Sequence, residues 1–565
     1  MKALFLFIVF YLLLNFFVFL PHWFLGFFNH HTQRVKLQNN SLWEIAKYVF
    51  FKRFSNDFFR LSPEIALVCL TLFIFKISMN ISMFVLSIVS TILFLYHLYI
   101  LSIIKVYKRR PCVFSDMKLI QTGMMFFKVK LPVLIVGFLL FFSFILGISS
   151  GLSYFLYQSM IQVENSLLNY FILSLVILIS IASLKNFQYD KYHSVVFFSS
   201  LIHLKSNYTL SHQLIQTIQQ INYKNTVEAY QKIKLKIKPN IFLIFVESYG
   251  EIALSHSKFG DDILKLLKEN ESILVKNNWH TASTLSYSPI SSGASWLAHA
   301  TVLFGRKIDN DTLYNQLFSQ SKYTSNFHSL TSILNANDYK TALTNSISHD
   351  TDEINWDKIN HCYRTENIFL FDDLNYSGNT LSFLNRQTVP DEWSLNMSYE
   401  KLKDSAPFFL QLNTTNSHSN FHSPIKTENH WKDYQNNNFE TTEVTKKNLE
   451  SNYFKAITYQ LNYINKFIIN QDSENSIFIL IGDHQPPLIT PDDSERLAPI
   501  HIISKHKNFI DEFQNFEYQL GMIPEKKTTQ KHESFLSKFL FSLNQIYGHN
   551  KKLDLPINEN GINLF

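Results

Sequence analysis

Hydrophobic and polar positions divide this chain into two parts of different character. Up to about residue 184 the sequence consists of long apolar runs rich in Phe, Leu and Ile, separated by short polar stretches. Beyond that point polar residues dominate and the apolar runs become short. The pattern predicts a transmembrane domain at residues 1–184, a helical linker at residues 185–234 and a folded domain at residues 235–565.

Several stretches of the first part are apolar enough to cross a membrane, which takes about 20 residues. We expect an α-helical transmembrane bundle of about five spans, because repeated runs of this kind have no counterpart in soluble proteins. The expected spans are residues 1–28, two segments within residues 64–104, residues 131–157 and residues 167–184. Residues 47–60 resemble an amphipathic helix lying at the membrane surface.

The basic residues of the connecting loops predict an orientation for these spans. Lys and Arg are frequent at residues 29–60 and 105–130, whereas residues 158–166 contain neither. The positive-inside rule therefore places the first two of these loops in the cytoplasm. An odd number of simple spans would then leave the C-terminal part in the cytoplasm as well, so one apolar segment must be re-entrant, split or interfacial if that part lies outside.

Charge and cysteine content exclude some classes of protein. The net charge is +6, but acidic and basic residues are interspersed in the C-terminal part, which argues against a nucleic-acid-binding protein. Of the three cysteines, Cys69 and Cys112 lie in or beside apolar segments. Cys362 stands alone in the folded part, which therefore has no internal disulfide.

An acidic residue follows the first short apolar run of the folded part. The run at residues 241–246 ends at Glu247, and its length and continuity are typical of a strand buried on both faces. A carboxylate at the end of such a strand lies where open α/β sheets bind ligands. Taken alone, Glu247 could equally be an acidic residue at the start of a helix.

A second run of the same kind lies near the end of the chain. Residues 453–469 have helical periodicity, and residues 476–481 form an apolar run that is followed by Gly482, Asp483 and His484. A helix, a loop and a buried strand form a crossover unit that delivers two metal-binding side chains to one strand end. Gly482 would allow the chain to redirect them. A plain polar turn is the alternative interpretation.

A loop of small residues lies between these runs. Residues 288–295 are mostly Ser, Gly and Ala, and residues 296–304 that follow are helix-like. A serine hydroxyl at a helix N-terminus has exposed amide groups beside it, which favour an alkoxide or a bound phosphate. The common alternative is a serine that only caps the helix.

Taken in order, these segments resemble the alkaline phosphatase/sulfatase-like superfamily, and most of all its lipoteichoic acid synthase, phosphoglycerol transferase and phosphoethanolamine transferase branch. The resemblance implies an α/β domain with a central mixed, mostly parallel sheet flanked by helices. It also implies that Glu247, Ser295, Asp483 and His484 bind one metal ion. In that family the nucleophile precedes a glycine by ten residues, as Ser295 precedes Gly305. Nearby hydroxyls are rivals for this role: Ser291 and Ser292.

Further matches predict residues that contact the substrate. The segment from Thr414 to Pro424 is similar to a family segment whose histidine contacts the phospho-group, which identifies His418. Because the proline is displaced to Pro424, His422 competes for that role. Trp356 and Lys358 resemble a loose pattern in which a tryptophan and a basic residue contact the substrate head group.

The resemblance implies a function for the whole chain. A phospholipid head group, phosphoglycerol or phosphoethanolamine, would pass to a cell-envelope glycan through a phospho-Ser295 intermediate. The ligand set favours Zn²⁺ or Mn²⁺ over Mg²⁺. The protein would lie in the bacterial inner membrane, with its catalytic domain on the periplasmic or extracellular side. The absence of disulfides favours phosphoglycerol, because phosphoethanolamine transferases usually carry several.

Three other functions are compatible with the same segments. A sulfatase is disfavoured because Ser295 is followed by Trp-Leu-Ala-His, without the Pro and Arg of the sulfatase motif. A phosphatase would need a second metal ion, for which His501 and His532 are candidate ligands. A sulfatase-like domain that only binds or assembles is the third alternative, and it predicts that substituting Ser295 or Asp483 changes nothing.

Overall fold

The chain forms two compact units in the computed structural model, one containing Met1–Met124 and Lys128–Leu214, the other Met125–Phe127 and Ile215–Phe565. The structure describes residues 2–26, 61–107, 111–113, 116, 131–162, 200–219, 228–319, 328–347, 356–383, 386–436, 439–445, 447–471, 474–491, 494–525 and 530–562.

Most described residues of the N-terminal unit lie in helices. Its helices are α1 (Lys2–Gly26), α2 (Pro63–Ile74), α3 (Met79–Tyr107), α4 (Leu131–Ile161) and α5 (Ser200–Gln219), the last of which ends beyond Leu214. Among the described residues, three segments are long and apolar enough to cross a membrane: Ala3–Pro21, Met79–Ile103 and Ile135–Ile161. Buried residues such as Leu14, Ile65, Leu86 and Leu156 join these helices in one apolar core.

The expectation of about five spans is not confirmed by the described residues. Residues 64–104 contain one long helix instead of two, because α2 has only 12 residues. At 1.5 Å per residue it is too short for a hydrocarbon layer of about 30 Å. The Ser62 hydroxyl caps its first turn and Pro63 occupies its start, so its beginning is fixed by sequence. The expected span at residues 167–184 and the surface helix at 47–60 lie outside the described residues.

The C-terminal unit is built on a large mixed sheet. Its strands are β1 (Asn240–Val246), β2 (His280–Tyr287), β3 (Lys340–Asn345), β4 (Asn367–Phe369), β7 (Phe408–Asn413), β8 (Ser476–Gly482), β9 (Leu497–Ser504) and β10 (Gln519–Leu520), and a separate hairpin contains β5 (Leu381–Phe383) and β6 (Arg386–Thr388). The eight strands of the sheet follow the order β10-β2-β9-β8-β1-β7-β3-β4. In this order, neighbouring strands from β8 through β1, β7 and β3 to β4 are parallel. Neighbouring strands from β10 through β2 and β9 to β8 are antiparallel. The predicted mixed, mostly parallel sheet is thus present.

Helices surround this sheet along the chain. They are α6 (Glu228–Gln231), α7 (Ile252–Ser255), α8 (Gly260–Lys276), α9 (Ser295–Phe304), α10 (Asp311–Ser319), α11 (Leu330–Asn335), α12 (Trp356–Tyr363), α13 (Asp391–Leu402), α14 (Leu449–Ile469), α15 (Lys507–Glu512) and α16 (Phe535–Tyr547). Short 3₁₀ helices lie at Asp372–Leu374, Lys403–Ser405, Trp431–Asn436, Phe513–Phe516 and His532–Ser534. Aromatic residues fill the central layer, where Phe242 of β1 stacks on Phe478 of β8 with ring centroids 4.4 Å apart.

The register of two central strands sets the position of the candidate site. Strands β1 and β8 are parallel neighbours, and Val246 pairs with Gly482. Parallel strands end at the same edge of a sheet, so the residues that follow this pair leave the sheet side by side. Those residues are Glu247 and Asp483. Both strands have the predicted positions, because their continuous apolar runs are buried on both faces.

Candidate metal and nucleophile site

The turn after β1 links Glu247 to Asp483. Ser248 adopts a positive φ of 58°, which a turn imposes on a non-glycine residue at some conformational cost. In this conformation its amide donates a hydrogen bond of 2.8 Å to Asp483 Oδ1, and its hydroxyl donates one of 2.8 Å to Glu247 Oε1. The strained residue therefore holds both carboxylates of the site.

The end of β8 leaves no room for a side chain. A Cβ on Gly482 would overlap the carbonyl oxygen of Tyr249, so glycine is needed here for close approach of two chain segments. Asp483 Oδ1 accepts from the amides of Ser248 and His484. Asp483 Oδ2 is buried without a hydrogen-bond partner among the described residues. A bound ion is one explanation for a buried carboxylate oxygen without a partner.

The imidazole of His484 is oriented by its own backbone neighbour. Its Nδ1 lies 2.9 Å from the carbonyl oxygen of Gln485, which can only accept, so Nδ1 carries the proton. The lone pair of Nε2 is then directed at the site. It lies 3.6 Å from Glu247 Oε1 and 3.5 Å from Asp483 Oδ2. A backbone carbonyl that fixes the tautomer is the usual arrangement around a metal-binding histidine.

Ser295 enters this group of side chains at the start of α9. Gly293 and Ala294 have positive φ angles of 62° and 57°, which turn the loop so that the helix begins at Ser295. The Ser295 hydroxyl donates to Glu247 Oε2 at 3.0 Å and lies 3.1 Å from His484 Nε2. The structure thus brings together the four side chains that the sequence pattern named. Of the rival serines, Ser291 accepts a hydrogen bond from the Gln485 amide with its backbone carbonyl oxygen.

The electrostatics of the group fit a bound cation. Burial raises the pKa of Glu247, but interactions with His484 and His418, together with hydrogen bonds from Ser248 and Ser295, bring it below the usual value. Burial and the Glu247 charge hold the pKa of Asp483 well above its usual range. Without a cation, two adjacent buried carboxylates cannot both ionise. Burial also lowers the pKa of His484, so this imidazole is neutral and able to bind a metal.

The chemistry of the donor set agrees with a divalent cation. Ligand atoms of Glu247, Asp483 and His484 all lie within 4.8 Å of one another. Among the described residues this is the one group of three or more His, Cys, Asp or Glu side chains with such geometry. Two carboxylates, an imidazole and the hydroxyl of Ser295 form a mixed oxygen and nitrogen set. Asp483 Oδ2, which has no hydrogen-bond partner among the described residues, is positioned to be one of these ligands.

The loop after β7 holds the backbone of Glu247 from the other side. Thr414 Oγ1 accepts from the Glu247 amide at 2.9 Å, and the Ser417 hydroxyl donates to the Glu247 carbonyl oxygen at 2.7 Å. Asp391 in turn accepts from the amides of Thr415 and Asn416. Sequence reasoning missed these residues, since only the fold shows that residues 414–417 run beside Glu247.

The predicted substrate residues have different surroundings. His418 is close enough to Glu247 to lower the pKa of that carboxyl, and its ring lies against Phe383 with centroids 4.4 Å apart. His422 Nδ1 instead accepts from the amide of Ser382, at the hairpin of β5. Trp356 begins α12 and is half-buried. Within the described part of the chain, neither His422 nor Trp356 contacts the metal-binding group, and the side chain of Lys358 lies outside the described residues.

The histidines considered for a second metal ion are already bonded within the protein. The His501 ring lies 2.7 Å from the Ser283 hydroxyl and 3.1 Å from the Tyr249 hydroxyl. The His532 ring lies 2.9 Å from the Ser286 hydroxyl and 3.0 Å from the Gly482 carbonyl oxygen. Burial lowers the pKa of His501 to about 3 and that of His532 to about 4, so both are neutral. Both ring nitrogens of each residue are therefore used structurally.

One histidine that sequence reasoning did not assign also faces the site. His299 Nε2 lies 4.0 Å from Asp483 Oδ2, and its ring packs on Phe245. Burial lowers its pKa to about 3. The available signal in the sequence was its spacing of four positions from Ser295, which places both on one face of a helix.

Comparison with known proteins gave matches among solved structures. No family model and no curated protein sequence matches the chain. It is similar to the lipoteichoic acid synthase LtaP from Listeria monocytogenes, with 17% identity, TM-score 0.35, and coverage of 52% of this chain and 71% of that one. It is also similar to the phosphoglycerol transferase GacH from Streptococcus pyogenes, with 14% identity, TM-score 0.36, and coverage of 59% of this chain and 85% of that one. A third similar structure is the C-terminal periplasmic domain of the phosphoethanolamine transferase EptC from Campylobacter jejuni, with 13% identity, TM-score 0.34, and coverage of 55% of this chain and 89% of that one.

Proposed function

We propose that this chain is a membrane-bound, metal-dependent transferase that moves a phospholipid head group to a cell-envelope glycan through a phospho-Ser295 intermediate. The head group is phosphoglycerol or phosphoethanolamine. One observation carries the proposal: the Ser295 hydroxyl lies 3.0 Å from Glu247 Oε2 and 3.1 Å from His484 Nε2, beside the unpartnered oxygen of Asp483. A hydroxyl in such a group of ligands is suited to act as a nucleophile.

Glu247, Ser295, Asp483 and His484 would hold the cation, for which Zn²⁺ or Mn²⁺ fits better than Mg²⁺ because of the imidazole ligand. When bound, the cation would lower the pKa of the serine hydroxyl and help to neutralise phosphoryl oxygens. The protein side chains fix the arrangement beforehand. His484 keeps its Nε2 directed at the site through its Nδ1–H bond to Gln485, and Asp483 is oriented by two backbone amides.

The first half-reaction forms a bond from Ser295 Oγ to phosphorus and breaks the bond from phosphorus to the diacylglycerol oxygen. Glu247 Oε2 accepts the hydroxyl hydrogen bond, so it is placed to receive the serine proton. The electron pair of the broken bond leaves with the diacylglycerol oxygen, which takes up a proton. In the second half-reaction a glycan hydroxyl attacks phosphorus and loses its proton, while Ser295 Oγ leaves and is protonated again.

The N-terminal unit explains how a lipid donor is reached. Its described residues include three helices long and apolar enough to cross a membrane. We place the protein in the bacterial inner membrane as a multi-pass protein, with the catalytic unit on the periplasmic or extracellular side, where envelope glycans are found. His418, which lies near Glu247, is the residue we expect to contact the phospho-group.

A hydrolase would use the same site with water in place of the glycan. A phosphatase with two metal ions is disfavoured because His501 and His532 are engaged by protein partners at both ring nitrogens. A sulfatase lacks support from the residues after Ser295. The glycan transferase is therefore the function that the geometry supports best.

The proposal is tested by incubating purified full-length protein with phospholipids labelled in the head group. We expect mass spectrometry to find the labelled phospho-group on the peptide containing Ser295, and diacylglycerol to be released in equal amount. Ser295→Ala and Asp483→Ala should abolish the adduct. An adduct that persists in Ser295→Ala but disappears in Ser291→Ala or Ser292→Ala would reassign the nucleophile. No adduct in the wild type, even under slow turnover, would refute the covalent scheme.

A further inference from the structure

Helix α9 brings a second side chain to the site, the imidazole of His299. Ser295 and His299 are four positions apart and so lie on one face of the helix. Side chains of a helix lean toward its N-terminus, which directs the His299 ring back toward the turn that contains Ser295. The result is seen in the distance of 4.0 Å between His299 Nε2 and Asp483 Oδ2.

The surroundings of this ring differ from those of a histidine that holds the fold. The His299 side chain is 11% exposed and packs on Phe245, with ring centroids 4.2 Å apart. Within the described part of the chain its ring nitrogens make no hydrogen bond. Both ring nitrogens of His501 and of His532, by contrast, are bonded to protein groups. The His299 ring therefore retains hydrogen-bonding capacity toward a group that enters the site.

The neighbouring carboxylate determines how His299 faces the site. A separation of 4.0 Å is too long for a hydrogen bond between Nε2 and Asp483 Oδ2. It is short enough for the Asp483 carboxylate, which is ionised when the site holds its cation, to favour an N–H group over a lone pair on the facing nitrogen. His299 therefore presents a donor beside the oxygen that lacks a partner. A phosphoryl group on Ser295 brings anionic oxygens to this region.

We propose that His299 is a further catalytic residue, whose Nε2–H donates a hydrogen bond to a non-bridging oxygen of the phosphoryl group while that group is transferred to and from Ser295. The inference rests on the function proposed above. The bonds formed and broken are the ones given there, and His299 keeps its proton throughout. Its contribution is electrostatic, because it stabilises charge that accumulates on the phosphoryl oxygens.

Such a donor is effective for two reasons. The ring is already buried and fixed by Phe245, so little reorganisation is needed when charge develops. It also acts from α9, the same helix that carries the nucleophile, so that donor and nucleophile keep a constant separation. Removing one donor of this type typically lowers the rate by about 10²–10³-fold.

The experiment compares His299→Leu and His299→Gln with His501→Gln. The leucine removes the donor and keeps an apolar side chain against Phe245, whereas the glutamine keeps an N–H group. His501→Gln is the matched control, since His501 is also buried but bonds only Ser283 and Tyr249. For each full-length protein we would measure the rate of Ser295 adduct formation with labelled phospholipid, the affinity for Zn²⁺ by chelator competition, and the thermal midpoint.

We expect adduct formation by His299→Leu to be about 10²-fold slower than in the wild type. His299→Gln should recover part of that loss, and Zn²⁺ affinity should stay within about threefold of the wild-type value in both variants. His501→Gln should form the adduct at the wild-type rate.

Three results would overturn the inference. Wild-type rates in both His299 variants would show that the ring is not used. A fall in Zn²⁺ affinity as large as the fall in rate would make His299 a metal ligand instead. A wild-type protein that forms no adduct would overturn this inference together with the proposed function, whereas the first two results leave that function intact. If His299→Leu does not fold, an unchanged rate in His299→Asn, which displaces the donor, refutes the inference.

Discussion

The candidate site has two sides that are held in different ways. On the sheet side, Glu247 and Asp483 follow paired residues of two parallel strands, so the backbone ladder sets their positions. On the loop side, residues 414–418 are held by side-chain hydrogen bonds to the backbone of Glu247 and by several hydrogen bonds to one carboxylate, that of Asp391. The metal-ligand positions are therefore set by a backbone ladder, whereas the loop geometry depends on a few hydroxyl and carboxyl groups.

Removing a ligand from the sheet side should have the largest effect. Asp483→Asn keeps an oxygen for the amides of Ser248 and His484 but removes the negative charge. We expect Ser295 adduct formation to fall by at least ~10³-fold and Zn²⁺ affinity to fall with it. Asp338→Asn is the matched control, because Asp338 is exposed and has a positive φ of 62° that asparagine tolerates. Adduct formation by Asp483→Asn within tenfold of the control would contradict the metal assignment.

Gly482→Ala tests whether close approach of two chain segments sets the ligand geometry. The new methyl group would overlap the Tyr249 carbonyl oxygen, so β8 or the turn after β1 has to move. We expect a stability loss of about 1–3 kcal/mol by chemical denaturation. We also expect adduct formation to be about 10²-fold slower, because a displacement near 1 Å is costly to a reacting geometry.

Gly137→Ala provides the comparison for this variant, since a methyl group there meets open space. Gly137 lies in α4 of the N-terminal unit. Wild-type activity in Gly482→Ala would show that the turn accommodates a side chain and that the sheet side is less rigid than inferred.

Lowering the pH should decrease stability through His501, on the sheet side, and increase it through Asp391, on the loop side. His501 of β9 has its pKa lowered to about 3 by burial, and Asp391 beside the loop has its pKa raised to about 6, chiefly by burial. A lowered folded-state histidine pKa means that stability is lost as the pH falls below about 6.5. A raised carboxyl pKa means that the folded state binds the proton first, so stability is gained as the pH falls through 6 toward 4.

Thermal midpoints of the full chain between about pH 7.5 and 4.5 measure this difference, one proton being equivalent to ~1.4 kcal/mol per pH unit. We expect His501→Gln to lose less stability on acidification than the wild type, and Asp391→Asn to lose more. Each variant is compared by the slope of its profile, since both substitutions lower stability at every pH. Slopes that change in the same direction would contradict the assigned charge states.

Sequence predicted the sheet side well and the loop side poorly. The apolar runs before Glu247 and Asp483 are strong signals because they are short, continuous and followed by polar turn residues, as is typical of strands buried on both faces. Local sequence patterns could not show that Thr414 and Ser417 form hydrogen bonds with Glu247, because each lies more than 160 positions from it in the chain. Likewise, the sequence could not distinguish His418 from His422, because their difference lies in the fold of one loop.

In the N-terminal unit the apolar content predicted spans but not their limits. Residues 64–104 are mostly apolar, and the turn near Lys76, with a φ of 48°, separates the short α2 from α3. Composition alone predicted two spans in this region, of whose described helices one is long enough to cross a membrane. The same reasoning missed His299, whose role depends on how α9 packs against the end of β8 and not on any motif.

The smallest effect that we predict probes the loop side directly. Ser417→Ala removes the hydroxyl that donates to the Glu247 carbonyl oxygen at 2.7 Å. Leaving a buried carbonyl oxygen with one fewer hydrogen-bond donor lowers stability by about 1 kcal/mol. We expect adduct formation to be several-fold slower, without a change in Zn²⁺ affinity. Ser423→Ala is the matched control, because the buried Ser423 hydroxyl has no partner among the described residues. If both variants behave alike, the Ser417 bond does not position Glu247, and the loop side follows the sheet instead of helping to fix it.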